Sequence, residues 1–198
     1  MPCFRATDSA RPFCRDPGAG PGRAGGFTAV WPAYAIAATV GLFVVVVGAL
    51  WVGGHVIGAD PLDDTAWIVL GATLLRAATV ALAPAGVQGW GRRFPAPLIE
   101  AGHWGAAAAQ LAYPLAELVA KLLVLAGLLE LPARGIGDMT STGWFNLAAA
   151  WLVFGVPGAL FVAAARSHRD RRGVRGSWPL IGAAVGVLAL LGIGVLLG

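Results

Sequence analysis

Charged residues are scarce in this 198-residue chain, since they make up 12% of the sequence against 58% hydrophobic residues. A water-soluble domain usually carries about 25% charged residues, so this chain has too little charge to cover a water-facing surface. Lysine is almost missing: Lys121 is the only one, and the other basic residues are arginines. The composition predicts an integral membrane protein with several apolar spans of roughly 20 residues each.

Residue types that membrane enzymes use are also scarce. The four serines lie in the tail, in loops or at a span end: Ser9, Ser141, Ser167 and Ser177. Their placement excludes a rhomboid-type serine protease, and the lack of aspartate inside any predicted span excludes aspartyl proteolysis and aspartate-rich prenyl transfer. Cys3 and Cys14 lack the spacing of a zinc or redox motif, and no H-E-x-x-H or P-loop motif occurs. We expect no catalytic residues, no metal site and no cofactor.

Five apolar stretches follow a polar tail. Residues 1–26 are rich in Gly, Pro, Arg and Ala, a composition that predicts disorder. We expect residues 27–198 to form one all-α transmembrane domain, with spans at about 27–58, 65–87, 97–129, 143–165 and 177–198. Spans one and two are expected to form one hairpin and spans three and four a second, so we interpret the fifth span as an addition to these two hairpins. Its Gly182-Ala-Ala-Val-Gly186 segment has the small-xxx-small pattern that lets helices approach closely, although glycine is common enough here for chance to produce it.

The arginines predict the orientation of the spans. Eleven lie in the tail and in the second and fourth loops, whereas the first and third loops together hold only Arg134. Positive charge marks the cytoplasmic side of a membrane protein. The N-terminus is therefore expected in the cytoplasm and the C-terminus outside, with the protein in a bacterial inner membrane. The fourth loop also holds His168, which we expect to be solvated there, and short arginine segments between spans give no reason to expect nucleic acid.

A polar stripe runs along the third span. His103, Gln110 and Glu117 are spaced seven residues apart and share one helix face, and Glu100 and Lys121 extend it at either end. Polar groups in hydrocarbon are costly and normally face the bundle interior or a wet cavity. Glu117 and Lys121 are correctly spaced for an ion pair that neutralises both residues and holds the register of the bundle. The alternative is that Glu117 titrates or binds a cation. Lys121 also lies near enough to the outer surface to extend into the interface.

Arg76 is the second unusual residue, because it falls near the middle of the second span. A short loop joins the second and third spans, so we expect them to be antiparallel neighbours. Arg76 would then meet Gln110 and Glu117 if Pro114 bends the third helix inward. The predicted site is a single polar cluster of Arg76, His103, Gln110, Glu117 and Lys121, with an anion-binding role for Arg76 as the alternative to helix anchoring.

Several segments resemble a known family. Trp31-Pro-Ala-Tyr34 opens the first span, Gly89-Trp-Gly-Arg-Arg-Phe-Pro95 follows the second, and Phe161-Val-Ala-Ala-Ala-Arg166 ends the fourth. Over residues 27–172 these segments resemble a family of small four-helix membrane proteins of unknown function, common in high-GC Gram-positive bacteria. The resemblance implies a similar topology but no activity and no site residues. The tail and the fifth span depart from it.

These features favour a non-enzymatic membrane protein, either a subunit of a larger assembly or a small carrier that uses the polar stripe. Its partners would be the lipid bilayer and another copy of itself or other membrane subunits. The alternative is a membrane-embedded enzyme that acts on a lipid, with Glu117 or His103 as base. An enzyme predicts a cavity open sideways to lipid, a carrier predicts a cavity along the bundle axis, and a subunit predicts a packed interior with every stripe residue paired.

Overall fold

The computed structural model describes residues 29–197, and the predicted tail at 1–26 lies outside the described residues. All regular structure within residues 29–197 is helical, as the composition predicts. There are six α-helices: α1 Trp31–Val52, α2 Asp64–Ala85, α3 Ala96–Leu125, α4 Ser141–Ala150, α5 Val156–Arg172 and α6 Trp178–Leu197. One-turn π-helical segments extend α1 (Gly53–Ile57) and join α4 to α5 (Trp151–Gly155).

Four of the helical segments are long and apolar enough to cross a membrane: Trp31–Ile57, Asp64–Ala85, Ala96–Leu125 and Ser141–Arg172. The last segment is α4 and α5 taken together. α6 is apolar as well, but its fully described part, Trp178–Gly192, is shorter than the other four. The prediction of apolar membrane-spanning helices is thus confirmed for four of the five stretches.

Local sequence explains where the helices begin and end. The Asp63 carboxylate caps α2 by accepting a hydrogen bond from the Ala66 amide at 2.7 Å, and Thr140 caps α4 in the same way. α3 ends at Leu125, four residues before the predicted end of the span, because Gly127 adopts a left-handed conformation with φ 69°. α5 continues to Arg172, seven residues beyond the predicted end, because arginine is a good helix former and Gly173 is the first residue to turn left-handed.

The helices pack in an order different from their order in the chain. α2 packs mainly against α1, α1 against α5, α5 against α3, and α3 against α6. α2 touches α3 over a much smaller surface, so the two are not the close antiparallel neighbours that their short loop suggested. The apolar core lies between α1, α2, α3 and α5 and consists of Ile36, Val40, Ala83, Ala107, Phe161 and Ala164.

α3 and α6 form the most extensive helix pair, so α6 is an integral part of the bundle and not an addition to it. A Cβ atom on Gly182 would lie 2.2 Å from the Ala101 carbonyl oxygen, and one on Gly186 would lie 2.2 Å from the Gly105 carbonyl oxygen. No side chain fits at such distances, so only glycine permits this approach. The small-xxx-small pattern is confirmed as a packing surface.

Polarity is distributed in this bundle as expected for a protein in lipid. Fully buried side chains include several ionisable ones: Glu100, His103, Glu117, Lys121 and His168. Large apolar side chains instead cover the outside, among them Leu50 at 71% exposed, Ile57 at 81% and Leu180 at 74%. A water-soluble protein rarely exposes so much contiguous apolar surface. The fold therefore places the polar stripe inside the protein.

Candidate functional site

The stripe ends, on the side of the α3–α4 loop, in a group we term the lysine cluster: Glu117, Lys121, Asp138 and Trp144. The Lys121 ammonium lies 3.6 Å from the Glu117 carboxylate, which confirms the predicted ion pair. It also donates to the Asp138 backbone oxygen and lies 5.5 Å from the centre of the Trp144 ring. Lys121 does not extend to the interface as predicted, because the loop folds back over the end of α3 and buries it completely.

The Asp138 side chain shapes this loop. Its carboxylate accepts hydrogen bonds from the Thr140 hydroxyl at 2.7 Å and the Thr140 amide at 2.9 Å. These two bonds, of which the one from the hydroxyl has the larger effect, hold the pKa of Asp138 below its ordinary value of 3.8. Asp138 is therefore ionised at neutral pH and orders the turn that delivers its backbone oxygen to Lys121.

Arg76 lies apart from the lysine cluster. Its guanidinium carbon is 4.3 Å from the ring centres of both Phe43 in α1 and Phe154 in the π-helical turn. A guanidinium between two aromatic faces is stabilised by their negative quadrupoles, and this is how the protein holds an arginine in its apolar interior. No hydrogen bond or ion pair joins Arg76 to Gln110 or Glu117 in the described residues.

The opposite end of the stripe forms a second group, the histidine cluster: Glu100, His103, His168 and Arg169. The Arg169 guanidinium lies 3.7 Å from the fully buried Glu100 carboxylate. The His103 and His168 rings stack with their centres 6.0 Å apart and their planes 18° from parallel. His103 donates from Nδ1 to the Ile99 carbonyl oxygen at 2.7 Å, so its Nε2 is the acceptor of the neutral ring.

His168 joins three helices. Its Nδ1 lies 3.2 Å from the Gly86 carbonyl oxygen after α2, and its Nε2 lies 3.2 Å from the Ala96 carbonyl oxygen at the start of α3. Carbonyl oxygens only accept hydrogen bonds, so the protonated ring can donate to both while a neutral ring donates to one. His168 thereby fastens the α2–α3 connection to α5.

The expectation that His168 is solvated is wrong, because α5 continues through the basic segment and turns this residue inward, where it is 1% exposed. The contacts made by Ser167, which is buried, and by Arg171, which is half-buried, were not predicted from the sequence either. Both donate hydrogen bonds to the Ala29 carbonyl oxygen and so hold the start of α1 against α5. The spacing of Phe161, Ala164 and His168 would have indicated a continuing helix face.

Buried polar side-chain atoms without a hydrogen-bond partner are concentrated on α3. Among the described residues, the buried side-chain atoms without hydrogen-bond partners are both Glu100 oxygens, His103 Nε2, Trp104 Nε1, Gln110 Oε1, Glu117 Oε2 and one Arg76 nitrogen. All but the Arg76 atom belong to α3. Buried polar atoms are nearly always hydrogen-bonded in proteins, so such a concentration on one helix calls for a functional explanation.

Two cavities lie at opposite ends of the bundle. One, of about 340 Å³, is lined by Gln88, Arg92, Arg171 and Arg172 where α2 and α5 end. The other, of about 450 Å³, is lined by Trp51, His55, Asp63 and neighbouring apolar residues. Within the part of the chain that is described, no three His, Cys, Asp or Glu side chains come together as metal ligands.

Comparison with known proteins adds no relative to this description. The chain matches no family model, no curated protein and no solved structure. Any statement about what the protein does must therefore start from its own geometry, which consists of a buried polar face on α3 bounded by two clusters of ionisable residues.

Proposed function

We propose that this chain is a multi-pass protein of a bacterial inner membrane. It crosses five times, with α6 as the fifth span, its N-terminus in the cytoplasm and its C-terminus outside. The arginine distribution supports this orientation, and the apolar exterior of the bundle supports a lipid environment. The resemblance to small four-helix membrane proteins over residues 27–172 would fit this topology.

Within that membrane the protein acts as a small, non-enzymatic carrier of protons along the buried face of α3. The observation that carries this proposal is the row of buried acceptor atoms on α3 without a hydrogen-bond partner, which runs from Glu100 through His103 and Gln110 to Glu117. The carboxylates at its two ends are held by ion pairs of 3.7 Å to Arg169 and 3.6 Å to Lys121. Carboxylates and a neutral imidazole nitrogen can each take up a proton and release it again. Gln110 cannot titrate, but its carbonyl oxygen can accept a hydrogen bond from water or hydronium between the two clusters.

The dimensions suit such a path. Glu117 lies seventeen positions after Glu100, and at about 1.5 Å per residue the two residues are roughly 25 Å apart along the helix. The hydrocarbon core of a bilayer is about 30 Å thick, so the two acids lie close to its two faces. A proton would enter at one cluster, cross near Gln110 by way of water, and leave at the other.

Proton flux into liposomes tests the proposal. Purified protein is reconstituted with a pH-sensitive dye inside, and a potassium diffusion potential drives protons inward. We expect acidification faster than in empty liposomes, and we expect Glu100→Gln and Glu117→Gln to reduce the rate to that of empty liposomes. Glu130→Gln is the matched control, because Glu130 lies exposed in the α3–α4 loop. Equal rates for wild type and empty liposomes would refute the carrier.

An accessory subunit of a larger assembly is the second candidate, and the closed Glu117–Lys121 pair favours it, because a fully neutralised pair can serve packing alone. The double variant Glu117→Gln/Lys121→Met separates the two functions. It removes both charges together, so the bundle should still fold. A carrier would lose its flux in this variant, whereas a subunit would keep its fold and any association with its partner.

A lipid-modifying enzyme finds less support in this geometry. The enzyme would need His103 or Glu117 to reach a lipid carbonyl or phosphate. Their side chains are 0% and 2% exposed, so a substrate would have to enter the packed interior of the bundle.

A further inference from the structure

A basic cleft lies where α2 and α5 end, and the proton path does not use it. The cleft has a volume of about 340 Å³ and is open on one side. Three arginines line it, Arg92, Arg171 and Arg172, together with Gln88, and no carboxylate is among the lining residues. Because arginine stays protonated in proteins, the cleft carries a permanent positive charge and favours an anion.

The wall of the cleft is built in advance of any ligand. Arg171 donates to the carbonyl oxygens of Ala29 at 3.1 Å and Gly86 at 3.3 Å and to the Ser167 hydroxyl, which fixes its guanidinium. The Gly86 carbonyl oxygen accepts from Arg171 and also lies 3.2 Å from His168 Nδ1, so its partial negative charge is offset on the side of the cleft. An anion would therefore meet a fixed guanidinium on this side.

The other side of the cleft offers donors on exposed chains. Arg92 and Arg172 are exposed, and within residues 29–197 neither forms an ion pair with a carboxylate. The Gln88 oxygen accepts a hydrogen bond from the Trp90 indole at 2.6 Å, so the amide group of Gln88 is the part that can donate to a ligand. Guanidinium and amide donors that line one cleft suit the oxygens of a phosphate.

The position of the cleft favours a lipid over a dissolved anion. Trp31, Trp90 and Trp178 lie at the same end of the bundle and are 58%, 41% and 38% exposed, as expected for side chains at the level of lipid headgroups. Phe94, which is 49% exposed, and Leu98, which is 59% exposed, follow Arg92 and offer an apolar surface to acyl chains. A volume near the lower limit of about 300 Å³ for ligand sites accommodates a headgroup but not a whole lipid.

We propose that this cleft binds the phosphodiester headgroup of an anionic phospholipid, with Arg92, Arg171 and Arg172 around the phosphate and the acyl chains along Phe94 and Leu98. Basic pockets between transmembrane helices are suited to anionic headgroups in this way. The site would recognise the charge of the lipid, because a zwitterionic lipid brings its own cation to the same position.

Lipid titration of the purified protein tests this. Short-chain phosphatidylglycerol, short-chain phosphatidylcholine and inorganic phosphate are each added to the protein in a neutral detergent, and binding is followed by Trp fluorescence and by the thermal midpoint. We expect wild type to bind phosphatidylglycerol at least about tenfold more tightly than the other two, a difference of about 1.4 kcal/mol. Phosphatidylcholine brings its own cation to the arginines, and inorganic phosphate has no acyl chains to contact Phe94 and Leu98. The Arg92→Gln/Arg172→Gln variant should lose that preference.

The matched control is Arg166→Gln/Arg175→Gln, which removes the same charge from the same end of the bundle but not from the cleft. It should keep the preference for phosphatidylglycerol. If both double variants lost the preference for phosphatidylglycerol equally, the preference would come from the general positive charge of this end of the bundle, and the proposed site would be overturned. Equal binding of phosphatidylcholine or of inorganic phosphate by wild type would overturn the lipid headgroup, and that comparison needs no variant to fold.

Discussion

Lys121 is fully buried at one end of α3, although an ammonium group is costly to remove from water. The cost is offset locally by three neighbours that approach from different segments: the Glu117 carboxylate, the Asp138 carbonyl oxygen and the Trp144 ring. At the scale of single residues, therefore, the bundle tolerates charge only where a neighbour supplies the opposite charge or an electron-rich group. Arg76 follows the same principle with Phe43 and Phe154.

The pairing of Glu117 with Lys121 predicts strong coupling in a double-mutant cycle. Lys121→Met alone should destabilise the protein by about 3–5 kcal/mol, because it leaves a buried carboxylate without its partner. Lys121→Met combined with Glu117→Gln should cost clearly less than the two changes added together. Unfolding of the protein in mixed detergent micelles measures both quantities.

The control cycle combines Arg76→Leu with Glu117→Gln. The sequence predicted one shared cluster, which would couple these two residues, whereas Arg76 is surrounded by aromatic rings and Glu117 is paired elsewhere. We expect additive effects within about 0.5 kcal/mol. Coupling here as strong as that between Glu117 and Lys121 would mean that Arg76 reaches the stripe after all.

At the scale of helices, contact between α3 and α6 depends on two glycines. Gly182→Ala should destabilise the bundle by about 1–3 kcal/mol, because the new methyl group would overlap the Ala101 carbonyl oxygen. Gly192→Ala is the control on the same helix, because a Cβ there would meet nothing within 4 Å. The thermal midpoints of the two variants in detergent provide the comparison. A Gly192→Ala protein as unstable as Gly182→Ala would contradict the packing explanation, because alanine favours a helix over glycine and its Cβ meets no neighbour at position 192.

The helices themselves were largely predictable, because length and hydropathy act along the chain. The Glu117–Lys121 pair and the Gly182–Gly186 surface could also be predicted, since both depend on spacing within one helix. Contacts between distant segments could not. Nothing in the local sequence indicates that α3 packs more extensively against α5 than against α2. Nor does it indicate that His168 reaches the carbonyl oxygens of Gly86 and Ala96.

At the scale of the whole molecule, the distribution of arginine predicts a defined orientation. Reporters that are active only outside the cytoplasm are fused after Gly58, after Val174 and at the C-terminus. We expect activity at the first and third sites and none at the second, because eleven arginines lie on the side of the tail and of the α5–α6 connection. Activity of the reporter after Val174 would reverse the proposed topology.

The hydrogen bonds at the start of α1 also bear on how the protein is made. The Ala29 carbonyl oxygen accepts from Ser167 and Arg171, which come 138 and 142 residues later in the chain. Because translation adds about 5–20 residues per second, roughly 7–28 seconds pass between the synthesis of Ala29 and that of its anchor. In the proposed topology, the arginines that precede α1 and follow α2 would hold the first hairpin in place during that interval. If the hairpin inverted during synthesis, Ala29 would lie on the wrong side of the bilayer when Ser167 and Arg171 emerged, and this anchor could no longer form.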